Sequence, residues 1–293
     1  MKPFSILSTL LCASIFLISF SGCKKAAPFA PVAPDDTKNN PVTLNPNIAH
    51  TTNNYTFYDT TLTKSGWTKT FEDNFDGDLS NWNIITGNPK NESGYYQASN
   101  LEILNGVLQI NAKKESVNGY SFTSGKLVSK NSISASAATP RVRIVARLKA
   151  AYGYGMTSVF WSSGNNFPTN GEIDYCEIKG NSTNLYATDY FYGTTADQNL
   201  VTNSILFNPT DGDLSTGYHV YEMEWTQNTL KSYLDGNLVE TKTTGLHVPD
   251  LFGKEEFVSL NLSMGGEYYT HFDPSSVQTG TMYVDYVKVF TSK

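Results

Sequence analysis

Cysteine is scarce in this chain. Only three occur among 293 residues. Cys12 and Cys23 fall in or just after an apolar N-terminal run, so Cys176 stands alone in the body of the chain, and no intramolecular disulfide is available there. Charge is also sparse. Asp, Glu, Lys and Arg make up 16% of the residues, the formal net charge is −6, and no basic block interrupts the body of the chain. That argues against a nucleic-acid partner, which would call for clustered Lys and Arg. No long segment carries apolar residues at helical spacing, which argues against a helix bundle. No internal repeat is visible, which argues against a solenoid.

Rings and strand formers are plentiful instead. Aromatics reach 13%, with 18 Tyr and 16 Phe. From Trp67 onward the chain reads as short strands and turns. Leu101 to Ile110 forms a hairpin about Asn105-Gly106, and Asp235-Gly236 marks a second one. In Arg141 to Lys149, Val142, Ile144, Ala146 and Leu148 fall on one face, and Arg141, Arg143, Val145, Arg147 and Lys149 on the other. Many short strands with regular turns predict an all-β sandwich or barrel.

Met1-Lys2 opens a basic start, and the apolar run that follows to about Phe20 has the length of a signal peptide. It ends Phe20-Ser21-Gly22-Cys23, which resembles the lipobox of bacterial lipoproteins. That resemblance implies a lipid on Cys23 and a membrane-anchored protein of the bacterial envelope, at the periplasmic or the outer surface. Residues 24–65, with Pro28, Pro31, Pro34, Pro41 and Pro46, read as a flexible tether, and 66–293 as the folded domain. A monomer is expected.

The chemistry concentrates in residues 171–180, Gly-Glu-Ile-Asp-Tyr-Cys-Glu-Ile-Lys-Gly. On a strand Glu172 and Asp174 share a face, and Glu177 has the wrong parity. One β-bulge at about Tyr175–Cys176 would bring all three acids to one side. A retaining glycosidase needs two carboxyl groups about 5–5.5 Å apart, one as nucleophile and one as acid/base. A third carboxyl between them would help split their pKa values. A solvated strand face is the bland alternative, and spacing alone does not exclude it.

Gly171-Glu172-Ile173-Asp174 followed by Glu177 resembles the catalytic strand of glycoside hydrolase family 16, which includes laminarinases, lichenases, agarases and carrageenases. Other segments resemble the family in order: Thr123-Ser124-Gly125-Lys126, Arg143 to Lys149, Phe160-Trp161, Tyr218 to Trp225, Leu260-Asn261-Leu262 with Gly265-Gly266, and Val284 to Val289. The resemblance implies a jelly-roll of two bent antiparallel sheets, with a polysaccharide substrate on the concave face. It implies Glu172 as nucleophile, Glu177 as acid/base and Asp174 as the nucleophile's hydrogen-bonding partner, with no cofactor required for the chemistry. Arg147, Trp161, Phe167, Tyr190 and Asn261 are implied at the substrate cleft, and Gly106 and Asp285 at a structural calcium site. His219 matches a structural position. The substrate implied is β-1,3 or mixed-linkage β-glucan, with an agar- or carrageenan-like galactan, or glycan binding without turnover, as alternatives. Two departures bear on that choice. Thr157 and Phe167 stand where laminarinases often carry tryptophan, and Tyr190 is read at the place of a cleft histidine.

Overall fold

In the computed structural model, residues 42–44, 54–88, 92–195, 201–207, 212–243 and 247–293 are described. They form a jelly-roll sandwich of two antiparallel sheets. The nine-stranded sheet runs β1 (Val42–Leu44), β16 (Asn237–Thr243), β15 (Thr229–Leu234), β14 (His219–Thr226), β9 (Arg141–Lys149), β18 (Gly280–Ser292), β6 (Leu108–Ala112) and β5 (Leu101–Ile103), and β2 (Thr68–Asp73) pairs with the far half of β18. The seven-stranded sheet runs β13 (Val201–Phe207), β12 (Tyr186–Tyr192), β11 (Glu172–Lys179), β10 (Met156–Ser163), β17 (Glu256–Met264), β8 (Lys126–Ile133) and β3 (Trp82–Ile84). A short parallel pair, β4 (Gly94–Tyr96) with β7 (Phe122–Ser124), adjoins it. Two short helices, α1 (Asp59–Thr63) and α2 (Val248–Leu251), complete the elements that matter here.

Alternation along the strands builds the core. Val142, Ile144, Ala146 and Leu148 of β9 face inward and meet Phe160, Ile173, Tyr175, Tyr190, Leu260 and Leu262 of the opposite sheet. Both hairpins form as their turn residues require. Leu104 and Val107 exchange backbone hydrogen bonds across Asn105 and Gly106, whose φ angles of 54° and 72° demand such residues. Asp235 and Gly236 repeat this between β15 and β16.

The other face of β9 is charged, and its charges are matched. Arg143 pairs with Glu222 and Glu224 of β14, and Arg141 with Glu224. His219, fully buried, holds Asp235 through Nδ1 at 2.8 Å, in keeping with a structural role. Arg147 donates to Asp285 Oδ2 at 2.6 Å and to the Tyr55 carbonyl at 3.2 Å, with its guanidinium 4.5 Å from the Tyr218 ring centre.

One expectation is corrected here. Arg147 does not reach the substrate side, because its parity on β9 sends it out from the sheet that lacks the three acids. At the implied calcium position Arg147 donates to the Asp285 carboxylate, and Asp76 Oδ1 stands 2.9 Å from where a Cβ on Gly106 would lie.

The boundary at 65/66 also falls too late. Residues 54–67 lie against the outer face of the nine-stranded sheet. Leu62 and Trp67 are buried there with Val145, Val220 and Phe290, and Phe57 meets Phe290 edge-on at 6.0 Å. Asp59 ties this segment down through Lys69 at 2.7 Å and Lys288 at 2.8 Å. This explains why Val145 sits among the charged positions of β9: it is the apolar seat of the segment. Beginning the chain at residue 68 rather than 54 is expected to cost about 3–6 kcal/mol, the burial of Leu62 and Trp67 together. Denaturant melts of the two forms measure it. Cys23 lies outside the described residues.

Candidate active site

β11 carries the acids, and the expected bulge is present. On the β10 side the pairing passes from Phe160–Cys176 to Trp161–Asp174 and skips Tyr175. On the β12 side it passes from Asp174–Asp189 to Glu177–Ala187. Tyr175 and Cys176 are both packed in the core, Tyr175 edge-on to Phe160 at 4.7 Å. Cys176 is buried, and burial pushes its thiol well above the ordinary range, so it packs rather than reacts.

The extra residue resets the parity. Glu172, Asp174 and Glu177 now face away from the core on one side of the seven-stranded sheet, at 7%, 4% and 4% exposure. Gly171 makes the approach to Glu172 feasible. Its φ is +83°, and a Cβ there would lie 2.6 Å from Leu251 and 2.8 Å from Glu256 Oε1.

Three of the expected cleft residues come to this face. Trp161 is cross-strand neighbour to Asp174, and Asn261 lies one strand further, opposite Val159. Asn261 is buried and accepts from Trp161 Nε1 at 2.7 Å, while its own amide donates to Tyr96 Oη at 3.0 Å and Ser263 Oγ at 2.7 Å. It therefore sets the angle of the Trp161 ring. Lys126, at the start of β8, stands 4.5 Å from that ring's centre. Phe167, in the loop between β10 and β11, packs 5.9 Å from Phe191, which pairs with Glu172 across the strands.

Tyr190 does not come to this face. It pairs with Ile173, shares that residue's parity and is fully buried in the core between the sheets. Asp189 takes the place on the acids' side, opposite Asp174. The expectation was one residue out of register, and a slip of one residue exchanges the faces of a strand.

Sequence reasoning missed three further groups. Asp189 is a fourth acid, 1% exposed, and one oxygen each from Asp174, Glu177 and Asp189 lies within 4.8 Å of the others. Burial, then Glu177 and Glu172, push its carboxyl well above the usual range against the pull of Lys242. Tyr268 hydrogen-bonds Glu177, and burial next to that carboxylate raises the phenol well above its ordinary value. Glu256 lies beneath the nucleophile strand. Ser162 Oγ donates to it, Tyr175 Oη donates to Ser162 at 2.5 Å, and burial pushes the Glu256 carboxyl well up. A signal for Asp189 existed in its distance from the acid motif. None existed for Tyr268 or Glu256, which sit in segments remote from β11 in sequence.

This arrangement can do two-carboxyl chemistry. Two glutamates flank an aspartate on a rigid central strand, walled by rings and largely closed to water. Residues 88–288 match the family model for glycosyl hydrolases family 16. The chain belongs to that family. It is similar to the clotting factor G alpha subunit of Tachypleus tridentatus, 29% identical over 244 residues that cover 76% of this chain and 34% of that protein. It is similar to glucan endo-1,3-beta-glucosidase A1 of Niallia circulans, 26% identical over 263 residues, 77% of this chain and 38% of that one. The chain thus spans a little over a third of the length of these two relatives. Its fold is that of the laminarinase catalytic domain of Thermotoga maritima, at a TM-score of 0.68 and 26% identity, covering 78% of this chain and 99% of the other.

Within the family 16 frame the matched segments acquire physical reasons. Phe160 fills the core while Trp161 comes to the acids' face, because neighbours on a strand take opposite faces. The Thr123-Ser124-Gly125-Lys126 run ends β7 and delivers Lys126 to the Trp161 ring, and any Cβ at Gly125 would lie 2.4 Å from Leu101.

Proposed function

We propose that this protein is an endo-acting β-glucan hydrolase, cleaving β-1,3 or mixed-linkage chains with retention. The observation that carries this reading is the bulge at Tyr175, which sets Glu172, Asp174 and Glu177 on one walled face. In the reaction, Glu177 gives its proton to the glycosidic oxygen while the Glu172 carboxylate attacks the anomeric carbon and the C–O bond breaks. Water then attacks the same carbon, gives its proton to Glu177, and Glu172 leaves. Asp174, between them, steadies the Glu172 carboxyl, and Trp161 offers a ring to an apolar sugar face.

A ring replaces the one absent at Thr157. Tyr269 Oη donates to the Met156 carbonyl at 2.7 Å and accepts from Gly155 N–H at 3.1 Å, which seats its ring beside Thr157. Lys179, on the acids' face of β11, stands 5.5 Å from that ring's centre. This supplies an aromatic face where the laminarinase tryptophan is missing, so the departure at Thr157 does not by itself weigh against a glucan. The test is reducing-end release from laminarin, lichenan, agarose, porphyran and carrageenan by the domain from Asn54 onward. Release from laminarin or lichenan is expected. Release from a galactan alone would overturn the substrate class, and binding without release would overturn turnover.

The N-terminal Phe20-Ser21-Gly22-Cys23 run supports a lipid-anchored protein of the bacterial envelope. Metabolic palmitate labelling, lost in Cys23→Ala, is the corresponding check.

A further inference from the structure

Asp189 has no part in the steps above, yet it lies in the middle of the acids. Its Oδ1 accepts from the Tyr190 backbone N–H at 2.8 Å. Its Oδ2 is buried and meets no hydrogen-bond partner among the described residues. A buried carboxylate oxygen without a donor is costly, and a proton between it and a neighbouring carboxyl removes the cost. The charged groups that act on it are Glu177 and Glu172 on β11 and Lys242 on β16, with Asp174 its partner across the strands. Tyr268 hydrogen-bonds Glu177. Lys242 is the one cation in this set, and Glu240 already holds it as an ion pair, with Thr188 Oγ1 also bonded to both. Lys179, on the same face, is the cation that interacts with Glu177. Glu172, Asp174, Glu177 and Asp189 therefore crowd together with fewer cations than acids, and they cannot all ionise.

We propose that Asp189 and Glu177 share one proton, which makes Asp189 the positioning residue that keeps Glu177 loaded as the acid. Asp189 has no need to touch substrate for this. It is paired with Asp174 in the ladder, and one of its oxygens lies within 4.8 Å of an oxygen of Glu177. Two acids sharing a proton titrate as a pair, and the second proton leaves only at higher pH than either alone would require. The inference rests on Glu177 being the acid of the proposed function.

The test is a titration that needs no substrate. Side-chain 13C signals of Glu and Asp are followed with pH in the wild-type domain, with Glu177 assigned by the signal lost in Glu177→Gln. Glu177 and Asp189 are expected to show two-step curves with midpoints in common. Independent single-step curves would overturn the proposal. In Asp189→Asn a negative neighbour is gone, so the higher midpoint of Glu177 falls by about one pH unit, the usual size of a close carboxylate's effect. Asp189→Ala should do the same if Asn disturbs the fold. An unchanged or higher midpoint would mean that Asp189 is only structural. The alkaline limb of kcat/KM on laminarin should fall by the same amount. An enzyme inactive on every glucan would defeat the proposed substrate and leave the titration readable.

Discussion

Glutamine at position 172 is expected to lower turnover of β-1,3-glucan by roughly four orders of magnitude while the fold survives. The amide keeps the shape of the carboxyl but cannot form the glycosyl ester, so the first step fails. Glu172 is 7% exposed, and its neighbours on that face, Asp174, Glu177 and Asp189, are acids too. Removing one of several crowded negative charges relieves repulsion. The melting temperature of Glu172→Gln should therefore equal or exceed that of the wild type. Loss of activity together with a lower melting temperature and an altered near-ultraviolet spectrum would point to damage instead. Wild-type activity in a clean preparation would remove Glu172 from the nucleophile's role.

Alanine at position 177 should behave differently with substrate. On laminarin the loss should be about 10²- to 10⁴-fold, the usual worth of a positioned acid/base. On an aryl glycoside, whose leaving group needs no proton, formation of the glycosyl-enzyme should persist and its hydrolysis should stall. Added azide, which needs no base, should then attack the anomeric carbon, release Glu172 and give a β-glycosyl azide. Recovery of rate and that product, read by chromatography, separate acid/base loss from misfolding. No rescue, or an α-azide, would count against the assignment. The hydrogen bond from Tyr268 adds a side expectation: Tyr268→Phe should lower kcat more than it changes KM, since it touches Glu177.

Much of this site was legible because β-strand periodicity is a strict rule. Glu172, Asp174 and Glu177 cannot share a face without one inserted residue, and the apolar filler Tyr175-Cys176 marks where it goes. The same rule separated the two faces of β9 and predicted its core. Where the reading went wrong, it went wrong by parity or by partner. Tyr190 is placed in the cleft by its match to the family's cleft histidine. The strand register set by the bulge shows that Asp189 has that place. Arg147 is implied at the cleft by the family resemblance, but sheet membership is a long-range property that a single strand's pattern does not carry. Its partner Asp285 is 138 residues away. The segment from Asn54 to residue 65 looks like tether in sequence because its few apolar residues lack period. Leu62 and Trp67 are anchors on an existing sheet rather than one face of an element of their own. Glu256 and Tyr268 reach the acids only through the pairing of β17 with β10 and the turn that follows it.

The central claim is that Glu172 becomes covalently bound to the sugar. The most direct measurement is intact-mass and peptide mass spectrometry after reaction with a 2-deoxy-2-fluoro β-1,3-linked disaccharyl fluoride, which slows the second step and traps the ester. The account predicts one equivalent of adduct, carried by Glu172 and absent in Glu172→Gln. An adduct on Glu177, or none from a preparation that still cleaves laminarin, would contradict it.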